Sequence, residues 1–187
     1  VLRAPGGRAA AYHPKALCLD LVVADDDPHS GSQARFVALA EVLVDALESL
    51  GVPAGVGPVP GEYCPGRYSV HARGRWKLAG TAQRVVRGAW FLGAVVLVSG
   101  VETVREVVAP AYDALGLHCD VSTVGAVDDL VPGVGVGDVA LAVLDAFGRR
   151  ASLSSGAAPP RLLERARLAA PDHPDLTALA VEGQGQR

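Results

Sequence analysis

The chain has 187 residues, half of them hydrophobic, with seventeen Lys and Arg against twenty Asp and Glu for a formal net charge of −3. That length suits one sizeable domain with a substantial core, and the acidic balance excludes wholesale nucleic-acid binding by a basic domain, so any cationic patch must be local. The longest uncharged apolar run, Ala89 to Val101, falls short of the ~18 residues that a membrane span needs, and no signal peptide opens the sequence. The expectation is a soluble, cytoplasmic protein with no membrane or nucleic-acid partner. Cys18, Cys64 and Cys119 are an odd number of cysteines with no close pair, which suits neither a disulfide framework nor a zinc knuckle. They read as free thiols, with no metal centre. There is no Met, and only Lys15 and Lys77 stand beside fifteen arginines.

Residues Ala16 to Val23, apolar almost throughout, read as a buried strand that Asp25-Asp26-Asp27-Pro28 breaks. Ser30 and Gln33 make a capping-box pattern ahead of Phe36, Leu39, Leu43, Leu47 and Leu50, which recur at helical spacing before Gly51. The proline- and glycine-dense stretch from Val52 to Gly66 predicts a loop, with Cys64 near its end. Arg67 to Ala72 and Arg75 to Gly80 predict two strands joined by the turn Arg73-Gly74, and Arg87-Gly88 makes a second turn before the apolar strand Trp90 to Val98. Ser99 and Glu102 repeat the capping-box pattern before a helix with Val101, Val104, Val107, Val108, Ala111, Tyr112 and Leu115 on one face, kinked at Pro110 and stopped by Gly116. Gly116 to Gly137 reads as irregular with one short strand. Asp138 caps a further helix to Phe147, ended by Gly148. Together these predict an α+β domain, a mainly antiparallel mixed sheet packed with helices, over residues 1–148. Residues 149–187 read as a linker, a short Arg/Leu/Ala helix and a flexible polar tail.

Between Glu62 and Glu102 there is no acidic residue, while Arg67, His71, Arg73, Arg75, Lys77, Arg84 and Arg87 all fall inside that interval. Two readings fit: a solvated face of a hairpin, or a surface that steers an anionic partner. Cys18, among leucines, reads as a small hydrophobe, and Cys119 as structural. Cys64 differs, because in Gly-Glu-Tyr-Cys-Pro-Gly the proline holds it extended and the glycines let other groups approach. It is either an incidental loop thiol or a nucleophile. Lys77, flanked by Trp76 and Leu78, either snorkels to solvent or supplies a compact cation that favours a nearby thiolate and a developing oxyanion. The small residues Gly80, Thr81 and Ala82, ending in the amide of Gln83, allow a ligand to lie close against backbone.

Gly61-Glu62-Tyr63-Cys64-Pro65-Gly66-Arg67-Tyr68-Ser69, followed by Gly74-Arg75-Trp76-Lys77-Leu78-Ala79-Gly80-Thr81-Ala82-Gln83-Arg84, resembles the signature of lipoyl and octanoyl transferases in the biotin/lipoate protein ligase superfamily. Within it, the chain most resembles the branch that moves an octanoyl group between the glycine-cleavage H protein and other lipoyl domains. Arg3-Ala4-Pro5-Gly6-Gly7-Arg8-Ala9, with Tyr12-His13 and the strand after them, is similar to the superfamily's Arg-x-x-Gly-Gly-Gly-x-Val segment. The likeness covers roughly residues 3 to 147. It departs from the pattern at Arg8, in place of a third glycine, and at Leu92-Gly93, where many lipoate ligases carry His-Gly; their Asn-Asp before the lysine hairpin is absent. The family also places a helix and strands ahead of its Gly-rich segment, so the expectation is a catalytic domain truncated at the N-terminus.

The resemblance implies a biotin/lipoate ligase catalytic-domain fold and a cysteine-dependent acyltransferase. Cys64 would take the acyl group from a carrier thioester or acyl protein, Lys77 would bind the oxyanion, and a lysine of an acceptor lipoyl domain would then attack to form the amide. Arg3, Gly6, Gly7, Ala9, Gly80, Thr81, Ala82 and Gln83 would line the substrate site. Implied partners are the H protein, acyl carrier protein and the E2 lipoyl domains of dehydrogenases, with no cofactor. Two alternatives remain open: an ATP-dependent lipoate-protein ligase, which needs ATP and Mg²⁺, and a non-catalytic domain that only binds acyl carriers.

Overall fold

The computed structural model describes residues 6–168. Its strands are β1 (Ala16–Ala24), β2 (Ala54–Val56), β3 (Val70–Ala72), β4 (Trp76–Val86) and β5 (Ala89–Leu97), and its helices α1 (Ser32–Ser49), α2 (Val101–Ala114), α3 (Val136–Gly148) and α4 (Pro160–Leu168). The strands form one sheet in the order β1-β5-β4-β3-β2, with every neighbouring pair antiparallel. The fold is the expected α+β domain with an antiparallel sheet. The compact unit that holds the sheet and α1 to α3 runs from Ala4 to Ser152, and α4 belongs to a second unit. No helix among the described residues is long and apolar enough to cross a membrane.

Strand alternation decides which face is covered. Leu17, Leu19 and Leu21 of β1 pair with Val96, Ala94 and Leu92 of β5. They join a core with Leu39, Leu43 and Leu47 of α1 and Val139, Val143 and Ala146 of α3. The intervening residues Cys18, Asp20 and Val22 point the other way, and all three are exposed. Cys18 is therefore not the buried hydrophobe that its leucine neighbours suggest: β1 covers one face only, and the two-residue period puts Cys18 on the open one.

Both capping boxes give way to glycine. α1 opens from Gly31 at φ 72° and α2 from Gly100 at φ 85°, each without a side-chain cap. Asp138 lies inside α3, two residues past its start, and accepts the Gly135 N–H at 2.8 Å. α2 runs on through Pro110 to Ala114. The proline-rich stretch holds the three-residue edge strand β2, which its prolines and glycines conceal. β4 continues beyond Gly80 to Val86, so the run of small residues is strand. Arg73 and Gly74 both have positive φ and the Arg75 N–H donates to the Ala72 carbonyl at 3.0 Å, which makes the type I′ turn of a tight hairpin. In place of a strand between Gly116 and Gly137 the chain makes one turn of 3₁₀ helix, Val121–Thr123, and a single bridge from Val124 to Lys77.

A smaller apolar cluster lies under α2. Val104, Val108 and Tyr112, one helical turn apart, pack with Leu97, Val124 and Ala126, and Ala9, Ala11, Tyr63 and Cys119 close against them. This cluster joins the N-terminal segment to the Cys64 loop.

Candidate active site

The Cys64 loop folds around one carboxylate. Glu62 is 2% exposed, and its Oε1 accepts from the Val59 N–H at 3.3 Å, the Gly66 N–H at 3.1 Å and the Ser69 hydroxyl at 3.1 Å. The loop enters through Gly61, whose φ of 82° suits glycine and whose carbonyl accepts from the Asp120 N–H at 2.8 Å. Oε2 of Glu62 has no hydrogen-bond partner among the described residues and forms an ion pair with the Lys77 ammonium at 2.9 Å. A buried carboxylate needs such a partner, because desolvation disfavours its charge.

A bulge aims Lys77 at this loop. Along β3 and β4, His71 pairs with Lys77 and Val70 with Ala79, which leaves Leu78 without a partner. Leu78 and Ala79 consequently both enter the helix-covered core, while Lys77 and Gly80 share the opposite face. A Cβ on Gly80 would stand 3.4 Å from the Lys77 Cε and 3.7 Å from Nζ. Nζ donates to the carbonyls of Tyr63 at 2.9 Å and Cys64 at 2.8 Å and sits 4.7 Å from the centre of the Tyr63 ring. Two carbonyls thus take hydrogen bonds from the ammonium, and Glu62 Oε2 adds an ion pair.

Cys64 takes a left-handed backbone conformation, φ 42°, which costs an L-residue about 1–2 kcal/mol and persists only where its surroundings hold it. Its N–H donates to the Tyr112 hydroxyl, its carbonyl is held by Lys77, and its Sγ accepts the Arg8 N–H at 3.3 Å. The Tyr112 hydroxyl in turn donates to the Ala9 carbonyl at 3.0 Å. Burial pushes the Tyr63 hydroxyl far above its ordinary range, with the Cys64 and Glu62 charges adding to the effect. Burial raises Tyr112 as well, partly offset by the Cys64 N–H bond. Both phenols are neutral at physiological pH. The Cys119 thiol is also pushed up, by burial first and then by Asp120, against the opposing pull of Lys77.

The family model for the lipoyl protein ligase A/B catalytic domain matches residues 1–148. The chain belongs to this family. It is 28% identical over 134 residues to the octanoyl-[GcvH]:protein N-octanoyltransferase of Geobacillus kaustophilus, covering 72% of this chain and 47% of that protein. It is 38% identical over 86 residues to an uncharacterized protein of Cupriavidus necator, covering 44% of this chain and 34% of that one. The chain thus spans less than half the length of either relative. Among solved structures it is similar to a lipoate protein ligase from T. acidophilum with bound lipoic acid, with a TM-score of 0.73 and 21% identity over 90% of this chain and 65% of that one. At that identity the likeness shows the fold alone.

The substrate-site residues implied by the lipoyl ligase resemblance separate into groups. Gly7, at φ 109°, and Arg8 run beside Cys64, with the Ala9 carbonyl on Tyr112, while Gly6 is exposed with open space around it. Arg3 lies outside the described residues. Gly80 and Ala82 share the open face with the Lys77 ammonium. Thr81 and Gln83, opposite Ala94 and Leu92, face the helices, and Gln83 accepts from Arg35 Nε of α1 at 2.7 Å. The strand period sends the second pair away from Cys64 and Lys77. The cationic hairpin also loses a member, since Lys77 turns inward to Glu62 while Arg67, Arg73, Arg75, Arg84 and Arg87 stay exposed.

Sequence reasoning passed over Glu62 and Tyr112. Glu62 had a signal: it is the last acidic residue before a basic interval that runs to Glu102 and contains a lone lysine, Lys77. Tyr112 had none, because on the α2 stripe it counts as one more apolar position. Among the described residues no three His, Cys, Asp or Glu side chains gather to hold a metal ion.

Proposed function

We propose that this chain carries the catalytic unit, residues 1–148, of an acyltransferase that moves an octanoyl or lipoyl group onto a lysine of lipoyl domains through a thioester on Cys64. The observation that carries this reading is the state of Cys64: a left-handed residue whose sulfur receives an N–H from the Gly-rich segment and whose carbonyl is bound by a buried ammonium. Similarity to an octanoyl-[GcvH]:protein N-octanoyltransferase supports it.

In the first step the Cys64 thiolate attacks the donor's acyl carbonyl. From a thioester donor such as acyl carrier protein the carrier sulfur leaves and takes up a proton, a nearly neutral exchange; from an acyl-lysine of the H protein the C–N bond breaks, the lysine amine leaves with a proton, and the uphill cost is returned when the second step forms a new amide. In the second, the neutral amine of the acceptor lysine attacks the Cys64 thioester, the C–S bond breaks, and the amine proton passes to the departing sulfur. Amide formation makes this step downhill, so ATP is not consumed. Lys77 stabilises the tetrahedral oxyanion of both steps by exchanging one of its two carbonyl partners for it, and Glu62 keeps the ammonium in place. The acyl chain lies along the open face past Gly80 and Ala82. Donor and acceptor are carriers such as the H protein, acyl carrier protein and E2 lipoyl domains in the cytoplasm, drawn to the cationic hairpin.

The test is incubation with octanoyl-loaded carrier and no ATP, followed by intact mass. The expected result is one octanoyl adduct on Cys64, removed by hydroxylamine and absent in Cys64→Ala. Transfer that survives Cys64→Ala and requires ATP and Mg²⁺ would overturn the acyl-enzyme and identify a ligase. Carrier binding with no transfer under either condition would leave a carrier-binding domain.

A further inference from the structure

The Tyr112 and Arg8 bonds at Cys64 are not independent. Tyr112 is 1% exposed at the end of the Val104-Val108-Tyr112 stripe, where phenylalanine would satisfy packing equally well. Its hydroxyl nevertheless makes two bonds to distant segments: it accepts the Cys64 N–H and donates to the Ala9 carbonyl. Ala9 is the neighbour of Arg8, whose N–H meets the Cys64 sulfur. One oxygen therefore fixes the backbone of the cysteine and, through one peptide unit, the donor that faces its thiol. We infer that Tyr112 is a positioning residue for the nucleophile, setting the left-handed turn at Cys64 and the Arg8 N–H contact together.

Lys77 holds the Cys64 carbonyl, a different backbone group from the N–H that Tyr112 receives, so the two act on opposite sides of the residue. The hydroxyl stays protonated throughout, since burial holds its acidity down, and it acts by geometry. The Arg8 N–H directed at the sulfur fixes where the attacking atom sits, so a loosened contact slows its reaction with an electrophile. This inference rests on Cys64 being the nucleophile, yet alkylation of the thiol can test it without any acyl transfer.

The experiment compares wild type with Tyr112→Phe for alkylation of Cys64 by iodoacetamide, read by peptide mass so that Cys18 and Cys119 are scored separately. Alkylation of Cys64 at pH 7 is expected to slow by several-fold, while Cys18, on the far β1 strand, keeps its wild-type rate. Equal rates at pH 7 in a folded Tyr112→Phe protein would overturn the inference and leave the hydroxyl a structural group. If that variant does not fold, amide hydrogen exchange in the wild type decides. The Cys64 amide is expected to be protected together with Arg8, and exchange of Cys64 at the rate of an open loop would refute the bond. Where Cys64 alkylates as expected but carries no octanoyl adduct, the transferase reading fails and the positioning role stands.

Discussion

The buried pair of Glu62 and Lys77 makes the strongest energetic prediction. At 2.9 Å the gross attraction is about 6 kcal/mol at an effective dielectric constant of ~20, and stripping water from two ions of which almost nothing is exposed consumes most of it. The intact pair therefore contributes little net stability, whereas either half alone is expensive. Lys77→Met leaves the Glu62 carboxylate buried without a cation and the Tyr63 and Cys64 carbonyls without a donor; the expected loss is about 3–5 kcal/mol. Glu62→Gln keeps an oxygen for Val59, Gly66 and Ser69 but turns an amide N–H₂ toward the ammonium, with a loss of similar size. The double variant removes both charges, so its cost should fall short of the summed singles by about 2 kcal/mol or more. The measurement is urea unfolding at pH 7 followed by tryptophan fluorescence. Additivity within ~0.5 kcal/mol would show that the two groups do not interact and would refute the reasoning. A consequence follows for activity assays: transfer lost in Lys77→Met alone reflects a damaged loop as much as a missing oxyanion partner, so the double variant is the proper control.

The strain at Cys64 can be measured directly, because glycine adopts a left-handed conformation freely and alanine does not: Cys64→Gly should be more stable than Cys64→Ala by about 1 kcal/mol, and equal stabilities would argue against the positive φ at this position. At Gly61, φ 82° places an added Cβ 3.0 Å from the Asp120 Cβ, so Gly61→Ala should cost about 1–2 kcal/mol in denaturant melts, and an unchanged midpoint would show that the loop does not enter as described. Asp20, on the open face of β1, has its carboxyl raised by partial burial. A raised acid binds its proton more tightly folded than unfolded, so the ionised group opposes folding above the usual carboxylate range. Asp20→Asn should therefore raise the melting temperature at pH 7 and leave it unchanged at pH 3, where the carboxyl is protonated in both states; the opposite pH dependence would contradict this account.

What could be read from the residues alone was whatever local chemistry decides. The apolar spacing of α1, the Arg73-Gly74 and Arg87-Gly88 turns, and the apolar runs of β1 and β5 each depend on a few neighbouring residues, and each element appears within a few residues of its expected place. The errors have a common cause, since they concern faces and partners that only tertiary pairing assigns. Cys18 looked buried because its neighbours are leucines, but a half-covered strand buries alternate residues. For Lys77 the sequence leaves two readings open, a snorkelling hairpin cation or a cation beside the Cys64 thiol, and a single unpaired residue, Leu78, turns its side chain to Glu62. The same register separates Gly80 and Ala82 from Thr81 and Gln83, which a linear motif had grouped as one lining. The candidate nucleophile and its ammonium were legible because two short motifs resemble a family. The groups that hold them, Glu62 and Tyr112, act by joining segments tens of residues apart. A linear motif records the candidate reacting groups, and the constraint that keeps Cys64 in an unfavourable backbone state comes from α2, β4 and the N-terminal segment acting at once.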